Sequence, residues 1–331
     1  MTLPFTRTLG RSGIQVSPLG MGCWAIGGPF WHEDIPVGWG FVDDSESLRA
    51  IRKALDLGMT FFDTSDVYGT GHSESILGQA FAGIRSQVVI ATKFGNVFDP
   101  VKRTITGSDA SPDAVRQSCE ASLRRLNTDY IDLYQFHLGG YELEKAGEVR
   151  DKLEGLVRAG KIRAYGWSTD DPARAALFAE GEHCTAVQHQ LNVFEDAPEM
   201  LALCERLDLA SINRGPLAMG LLTGKYQPGS KLAENDVRGE KAPGWMKYFQ
   251  GGQPNPQFIK MLAAVREVLT SDGRTLAQGA LAWLWARSPK TVPIPGFKTV
   301  KQVEENAGAV NFGPLSPDQL RQVSELLASI A

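Results

Sequence analysis

Eight short apolar runs alternate with amphipathic segments along most of the 331-residue chain. The runs lie at residues 18–24, 60–65, 88–93, 130–137, 162–168, 185–190, 209–214 and 291–296. Nearly continuous apolar strands separated by helices are typical of a parallel sheet whose faces are covered by helices. Eight such units close a (β/α)₈ barrel, so the chain is predicted to be an α/β protein with this fold. The alternative is an open doubly wound sheet, which usually carries GxGxxG after its first strand, and LGMGCWAIGG lacks that spacing.

Local signals define some of the helix boundaries. Ser111 followed by Pro112 predicts a helix start, because serine caps the free backbone N–H groups and proline suits the first helical position. Gly160 predicts a helix end, since glycine readily takes the left-handed conformation found there.

Three segments fall outside the repeat. Residues 5–17 alternate around two glycines and are predicted to form a hairpin that closes the lower end of the barrel. Residues 24–43, rich in Trp, Gly and Pro, are expected to form a loop at the upper rim. Residues 223–256 form a long polar and aromatic loop, and loops of this length usually cover a site. No linker divides the sequence, so residues 1–331 are expected to form a single domain.

Charge and cysteine content exclude several classes of protein. The net charge is −4 with a sequence pI near 5.8 and dispersed basic residues, which argues against nucleic-acid binding. The N-terminus lacks an apolar signal, and no stretch approaches the roughly 20 apolar residues that span a bilayer. Separated cysteines without a CxxC motif argue against a disulfide framework and fit a cytoplasmic protein: Cys23, Cys119, Cys184 and Cys204. Four histidines lack the spacing of metal ligands, so no metal is expected: His32, His72, His183 and His189.

Four chemically active side chains fall at or just beyond the ends of three consecutive predicted strands. Asp63 and Tyr68 occur in FFDTSDVYG, Lys93 in VVIATKFGN and His137 in YIDLYQFHLGG. The carboxyl ends of barrel strands share one mouth, so these side chains are predicted to meet there. Singly, each has an ordinary role as a turn cap, a solvated lysine or a core histidine. Together, at neighbouring strand ends, they favour catalysis.

The chemistry of this group suits hydride addition to a carbonyl, which builds negative charge on oxygen and requires a proton donor. A phenol has a pKa of about 10. An adjacent ammonium favours the phenolate, so Lys93 is expected to lower the pKa of Tyr68. Asp63 is expected to keep Lys93 charged and fixed, and His137 to orient the carbonyl oxygen.

The chain resembles the aldo-keto reductases, in particular the longer bacterial and potassium-channel β-subunit-like branch. The resemblance runs from RTLGRSGIQVSPLGMGCW to IPGFKTVKQVEENAGA and includes FFDTSDVYG, LVRAGKIRAYGWST and PLAMGLLTGKY. It implies a barrel that binds NADPH without a Rossmann domain, and reversible reduction of aldehydes or ketones to alcohols. Tyr68 would be the general acid, assisted by Asp63, Lys93 and His137. The alternative is a regulatory subunit that binds nicotinamide as a redox sensor with little turnover.

The resemblance also implies a set of cofactor-binding residues. Those expected beside the nicotinamide are Gly22, Cys23, Trp24, Asp63, Ser168, Thr169, Gln188 and Arg214. Those expected along the pyrophosphate are Gly215, Pro216, Leu217, Gly220 and Lys225. Those expected at the adenosine end are Gly296, Phe297, Lys298, Thr299, Gln302, Glu305 and Asn306. Lys298 suggests a contact to a 2′-phosphate and hence NADP over NAD; the alternative is a solvated turn lysine.

Three of these positions have open interpretations. Cys23 is either a cofactor contact or a buried core thiol, and Thr169 is either a cofactor contact or a helix cap. Arg214 stands where most relatives have an aromatic ring. Its guanidinium is expected to stack on nicotinamide, to reach a phosphate or substrate carboxylate, or to form a salt bridge at the rim.

The substrate is expected to be a small carbonyl compound, held beside Tyr68 and His137. Further contacts are expected from Trp24, Trp31, Trp39, Leu138 and the loop at residues 223–256. The alternative for the aromatic side chains is that they only fasten the loops. The sequence does not set the substrate, the preferred direction or the number of subunits.

Overall fold

A closed parallel barrel forms the centre of the molecule in a computed structural model, which describes residues 3–330. Its strands are β1 (Gly20–Gly22), β2 (Phe61–Asp63), β3 (Val89–Phe94), β4 (Ile131–Phe136), β5 (Ile162–Ser168), β6 (Cys184–Gln190), β7 (Ala210–Arg214) and β8 (Thr291–Pro293). Each strand pairs with the next in chain order, and a parallel bridge between Gly22 and Gly296 joins the two edges. The barrel prediction is therefore confirmed and the open-sheet alternative is wrong.

Ten α-helices in the described part of the chain pack outside the strands or follow the last one. They are α1 (Asp44–Asp56), α2 (His72–Ala80), α3 (Pro112–Leu126), α4 (Leu143–Arg158), α5 (Pro172–Phe178), α6 (Pro198–Leu207), α7 (Pro256–Thr270), α8 (Leu276–Arg287), α9 (Val300–Gly308) and α10 (Pro317–Ala328). Ser111 Oγ accepts the backbone N–H of Ala114 at 3.3 Å, and Gly160 has a φ of +70° after α4, so both boundary signals are confirmed. Between residues 3 and 330, no helix is both long and apolar enough to cross a membrane.

The predicted N-terminal hairpin closes one end of the barrel. Arg7–Thr8 pairs antiparallel with Gln15–Val16. Its apolar side chains join the buried cluster that fills the barrel, which comprises Leu9, Ile14, Val16, Phe61, Val89, Ala91, Leu133, Ala164, Ala186, Ala210, Ile212, Val292 and Ile294. The hairpin prediction is confirmed.

The predicted rim loop at residues 24–43 contains two short strands, Trp31–His32 and Ile35–Pro36. They form a four-stranded sheet with Asn96–Asp99 and Thr104–Ser108, a hairpin that the sequence analysis missed. The missed strands are half-buried or exposed. They therefore lack the apolar alternation by which strands are recognised.

The long loop at residues 223–256 contains one small hairpin, Phe249–Gln250 paired with Gln253–Pro254. It also reaches the rim loop, because the N–H of Val237 donates to the carbonyl of Gly38 at 2.7 Å. The two loops together cover a large cavity at the carboxyl ends of the barrel strands.

Candidate active site

An ion pair between two neighbouring strands is the centre of the site. Asp63 is the last residue of β2, and Lys93 is the next-to-last residue of β3. Lys93 Nζ lies 2.5 Å from Asp63 Oδ1, and both side chains are buried. A buried charge needs a partner of opposite charge, and Asp63 and Lys93 are partners in this sense.

All three ammonium hydrogens of Lys93 have acceptors. Besides Asp63, they are the carbonyl of Thr64 at 2.7 Å and the hydroxyl of Tyr68 at 3.3 Å. An ammonium has no acceptor lone pair, so the Tyr68 oxygen accepts in this contact. The phenolic hydrogen of Tyr68 is therefore left for a group in the cavity.

Close backbone packing fixes Tyr68. The next residue, Gly69, has a φ of +61°, and a Cβ there would lie 2.0 Å from the carbonyl oxygen of Gly27. Only glycine fits such an approach at a positive φ. The phenol ring stacks on Trp24 with 5.9 Å between ring centroids, and the His137 ring packs against it edge-on at 6.0 Å.

Two glutamines hold the other carboxylate oxygen of Asp63. Gln135 Nε2 donates to Asp63 Oδ2 at 3.0 Å, and Gln188 Nε2 donates to it at 2.7 Å. The sequence analysis assigned Gln188 to the nicotinamide and missed Gln135. The missed signal is the alternation of β4, because Leu133 lies in the barrel interior and position 135 shares its face. A polar residue at an inward position indicates a buried partner.

The expectation that Lys93 lowers the pKa of Tyr68 is wrong in its net direction. Burial of the phenol and the charge of Asp63 together raise this pKa more than the Lys93 charge and hydrogen bond lower it. For Lys93 itself, burial lowers the pKa, but the charges of Asp63 and Tyr68 and the hydrogen bonds to them together outweigh burial, so the net pKa is raised. The site therefore holds a neutral phenol beside a firmly charged ammonium.

His137 follows β4 and lines the cavity. Burial, together with the positive charges of Lys93 and Arg214, holds its pKa well below the usual 6.5. The imidazole is therefore neutral, and Nδ1 lies 3.2 Å from the hydroxyl of Ser65.

A cavity of about 1380 Å³ extends from these groups along the mouth of the barrel. Most of the residues expected at the nicotinamide line it: Gly22, Cys23, Trp24, Asp63, Ser168, Gln188 and Arg214. Thr169 lies beside a smaller adjoining depression, and its hydroxyl donates to the carbonyl of Gly139 at 2.9 Å. The Cys23 thiol donates to the carbonyl of Met21 at 3.3 Å, and burial raises its pKa, as in a core thiol.

Arg214 occupies the rim of the cavity. Its guanidinium pairs with the Asp170 carboxylate and donates to Gln190 Oε1 at 2.9 Å. Among the interpretations of Arg214 left open by the sequence, the structure therefore favours the salt bridge at the rim.

The segment expected along the pyrophosphate has an unusual backbone. Cavity-lining residues of this segment are Gly215, Pro216, Leu217, Gly220 and Lys225. Between them, Ala218 and Met219 have φ values of +47° and +55°. A positive φ is energetically unfavourable for residues other than glycine, and such backbone strain is concentrated at functional sites.

Cations predominate at the end expected for adenosine. Lys298 Nζ donates to the carbonyls of Trp39 and Phe41. Arg238, which the sequence analysis missed, makes a two-pronged ion pair with Asp236, with both N–O distances 2.8 Å.

Lys225, Arg238 and Lys298 all line this part of the cavity. Burial, offset in part by Asp236, lowers the pKa of Lys298, and the charges of Arg238 and Lys225 add to that lowering. These three cations outnumber the carboxylates of Asp236 and Glu305, and this balance favours an anion. Other expected residues here also line the cavity: Gly296, Phe297, Gln302, Glu305 and Asn306. Thr299 does not; it caps α9 by accepting the N–H of Gln302.

The expected substrate contacts divide into two groups. Trp24 and Trp39 line the cavity. Trp31 does not, because it belongs to the rim sheet, and Leu138 packs over Gly95 instead. For Trp31 the structure favours the alternative, that the aromatic side chain fastens a loop, and Leu138 is not a cavity-lining residue.

Trp245 adds an aromatic side chain that the sequence analysis did not single out. It lines the cavity, is 57% exposed, and its ring lies 6.3 Å from that of Trp24. Its position within the irregular loop at residues 223–256 carries no periodic signal that would place it.

Comparison with known proteins identifies the family. The model of the aldo/keto reductase family matches residues 18–328. An aldo-keto reductase [NADP(+)] of Schizosaccharomyces pombe is 31% identical over 335 residues, which cover 98% of this chain and 92% of that protein. A glycerol dehydrogenase structure from Gluconobacter oxydans has 29% identity, a TM-score of 0.83, and coverage of 98% of this chain and 96% of that one. An aldo-keto reductase from Klebsiella pneumoniae, solved with NADPH, has 26% identity, a TM-score of 0.71, and coverage of 99% and 96%. The chain belongs to the aldo/keto reductase family.

Proposed function

We propose that this protein reduces aldehydes or ketones with NADPH and catalyses the reverse oxidation of alcohols. The observation that carries the proposal is the direction of the hydrogen bond between Lys93 and Tyr68. Because the tyrosine oxygen accepts there, its proton is free for a carbonyl oxygen in the cavity.

The cavity fits an NADP dinucleotide. It extends from the tetrad to the cationic group of Lys225, Arg238 and Lys298. The positive end suits phosphates, and Lys298 is suited to the 2′-phosphate that distinguishes NADP from NAD. The relatives that bind NADP in name or in crystals support this cofactor.

The cofactor, when bound, supplies the hydride. Tyr68 donates its proton to the carbonyl oxygen as negative charge develops there. A raised phenol pKa does not prevent this step, because an alkoxide is a far stronger base than a phenolate. The Lys93 ammonium then stabilises the phenolate, Asp63 keeps that ammonium in place, and neutral His137 hydrogen-bonds the substrate oxygen.

The variant Tyr68→Phe tests the assignment, since it removes only the hydroxyl. We expect kcat for aldehyde reduction to fall by about 10³-fold or more, while NADPH still quenches protein fluorescence with an unchanged Kd. Trp31→Phe is the matched control, because that ring lies outside the cavity. Substantial turnover by Tyr68→Phe would remove Tyr68 from its role. Wild-type protein that binds NADPH but reduces no aldehyde, ketone or sugar would favour the redox-sensor alternative.

A further inference from the structure

A short hydrogen-bonded chain lies behind His137, on the side away from the cavity. Ser65 is fully buried, and its Oγ lies 3.2 Å from His137 Nδ1 and 3.1 Å from Asp66 Oδ1. The backbone N–H of Val67 also donates to this oxygen at 3.4 Å. Within residues 3–330, His137 Nε2 makes no side-chain hydrogen bond, so it is the nitrogen left for a substrate oxygen.

The Ser65 hydroxyl has one hydrogen, which it can donate either to His137 Nδ1 or to Asp66 Oδ1. If it is donated to His137 Nδ1, a neutral imidazole must carry its own hydrogen on Nε2. If it is donated to Asp66, His137 must donate from Nδ1 and present a bare lone pair at Nε2. A carbonyl oxygen, which can only accept, requires the first arrangement, and an alcohol hydroxyl can donate to the second.

The state of Asp66 decides which arrangement forms. An ionised carboxylate only accepts, and so it attracts the Ser65 hydrogen. A neutral carboxylic acid can instead donate to Ser65 Oγ, which frees the serine hydrogen for His137.

Asp66 is 2% exposed and forms no salt bridge within residues 3–330. The carboxylate whose charge acts on Asp66 is that of Glu74 on α2, and its oxygens are already bound to Thr92 and to Arg125 of α3. Tyr134 on β4 adds a neutral hydroxyl that lacks a hydrogen-bond partner within residues 3–330. Burial and the charge of Glu74, opposed by Arg125, raise the pKa of Asp66 to about 8.

We propose that Asp66 and Ser65 are positioning residues that select the tautomer of His137 and so bias the site between carbonyl and alcohol. Protonated Asp66 gives Nε2–H and favours carbonyl binding; ionised Asp66 gives an Nε2 lone pair and favours the alcohol. The roles given to carbonyl and alcohol rest on the proposed function, whereas the tautomer switch does not.

Two titratable groups in contact with this chain, Lys93 and His137, keep their protonation state over the range in which Asp66 titrates. Lys93, whose backbone carbonyl accepts the N–H of Asp66 at 3.3 Å, has a raised pKa. Arg214 faces His137 from β7 and lowers its pKa. His137 remains neutral because its pKa is lowered. A transition at the pKa of Asp66 therefore reports Asp66.

Nitrogen-15 NMR of the histidine-labelled full chain measures the tautomer directly. Spectra about two pH units below and above the Asp66 pKa of about 8 should show His137 protonated on Nε2 at the lower pH and on Nδ1 at the higher pH. His189 is an internal control, because its Nδ1 donates to the Gln190 carbonyl and its Nε2 accepts from Ser211. Its tautomer should stay constant.

Two variants complete the test. Asp66→Asn is isosteric and cannot ionise, so its His137 tautomer should be independent of pH. Ser65→Ala breaks the chain and should lower kcat/KM for carbonyl reduction roughly tenfold near neutral pH, with no further effect of Asp66→Asn in the double variant. In the wild type, the ratio of alcohol oxidation to carbonyl reduction should rise through the Asp66 transition.

A wild-type tautomer that stays constant with pH, or one that still switches in Asp66→Asn, would overturn the proposal. Failure of the proposed function has a different signature: the tautomer switches, but no carbonyl compound is turned over.

Discussion

The two ends of the cavity hold their cations in different ways. At the catalytic end, Lys93 is buried and all its ammonium hydrogens are bound to groups at or just beyond the end of β2. At the cofactor end, Lys298 donates to two carbonyls of the rim loop, and Arg238 belongs to the long loop at residues 223–256. The first arrangement is complete without a ligand. In the second arrangement, Lys298 donates to backbone carbonyls, which bind an ammonium less strongly than phosphate oxygens do. The catalytic end is therefore preorganised, and the contacts at the cofactor end can change when a phosphate binds.

Replacing Lys93 by Met should have the largest effect, because it leaves Asp63 as an unpaired charge in the barrel. We expect the free energy of unfolding to fall by about 3–5 kcal/mol and carbonyl reduction to be lost. Urea denaturation and single-turnover assays measure the two effects. Lys298→Met is the matched control from the other end and should cost less than about 1 kcal/mol. Equal losses for the two lysines would contradict the contrast between the ends.

Gly69→Ala should displace Tyr68 while leaving Lys93 intact. The added Cβ would meet the carbonyl oxygen of Gly27 at 2.0 Å, so the backbone that carries the phenol must move. We expect kcat to fall about 10²-fold, since a shift of about 1 Å in a reacting group has that effect. Gly83→Ala controls for conformational strain, because its φ is +80° but no atom lies within 4 Å of its Cβ. If both variants lose the same activity, steric displacement is not the cause.

The same contrast explains what the sequence could predict. The barrel and the tetrad follow from strand runs and from the convergence of strand ends, which depend on local pattern. Gln135 was missed although β4 carries its signal. Arg238 and Trp245 could not be found, since their positions depend on tertiary contacts of a long irregular loop. The direction of the Tyr68 pKa shift was missed because it depends on burial, which the sequence does not measure.

Arg238→Met should weaken cofactor binding and destabilise the loop by leaving Asp236 unpaired. We expect the Kd for NADPH to rise by roughly 10- to 30-fold, the equivalent of about 1.4–2 kcal/mol. Adding Asp236→Asn separates the two consequences. The double variant should recover stability, because no buried charge is left alone, but should not recover affinity. Recovery of NADPH affinity in the double variant would show that Arg238 acts on loop structure and not on the phosphates.

Lys298→Met should have the smallest effect and the most selective one. The ammonium is half-buried and bound to carbonyls that water can replace, so the fold should tolerate its loss. If Lys298 exchanges these carbonyls for the 2′-phosphate, the Kd for NADPH should rise about tenfold and the Kd for NADH should hardly change. Raising the salt concentration should weaken NADPH binding to the wild type more than to the variant, because screening acts on the contact that the variant has lost. Fluorescence titration with both cofactors at two salt concentrations measures this difference, and parallel losses for NADPH and NADH would place Lys298 in the loop contact alone.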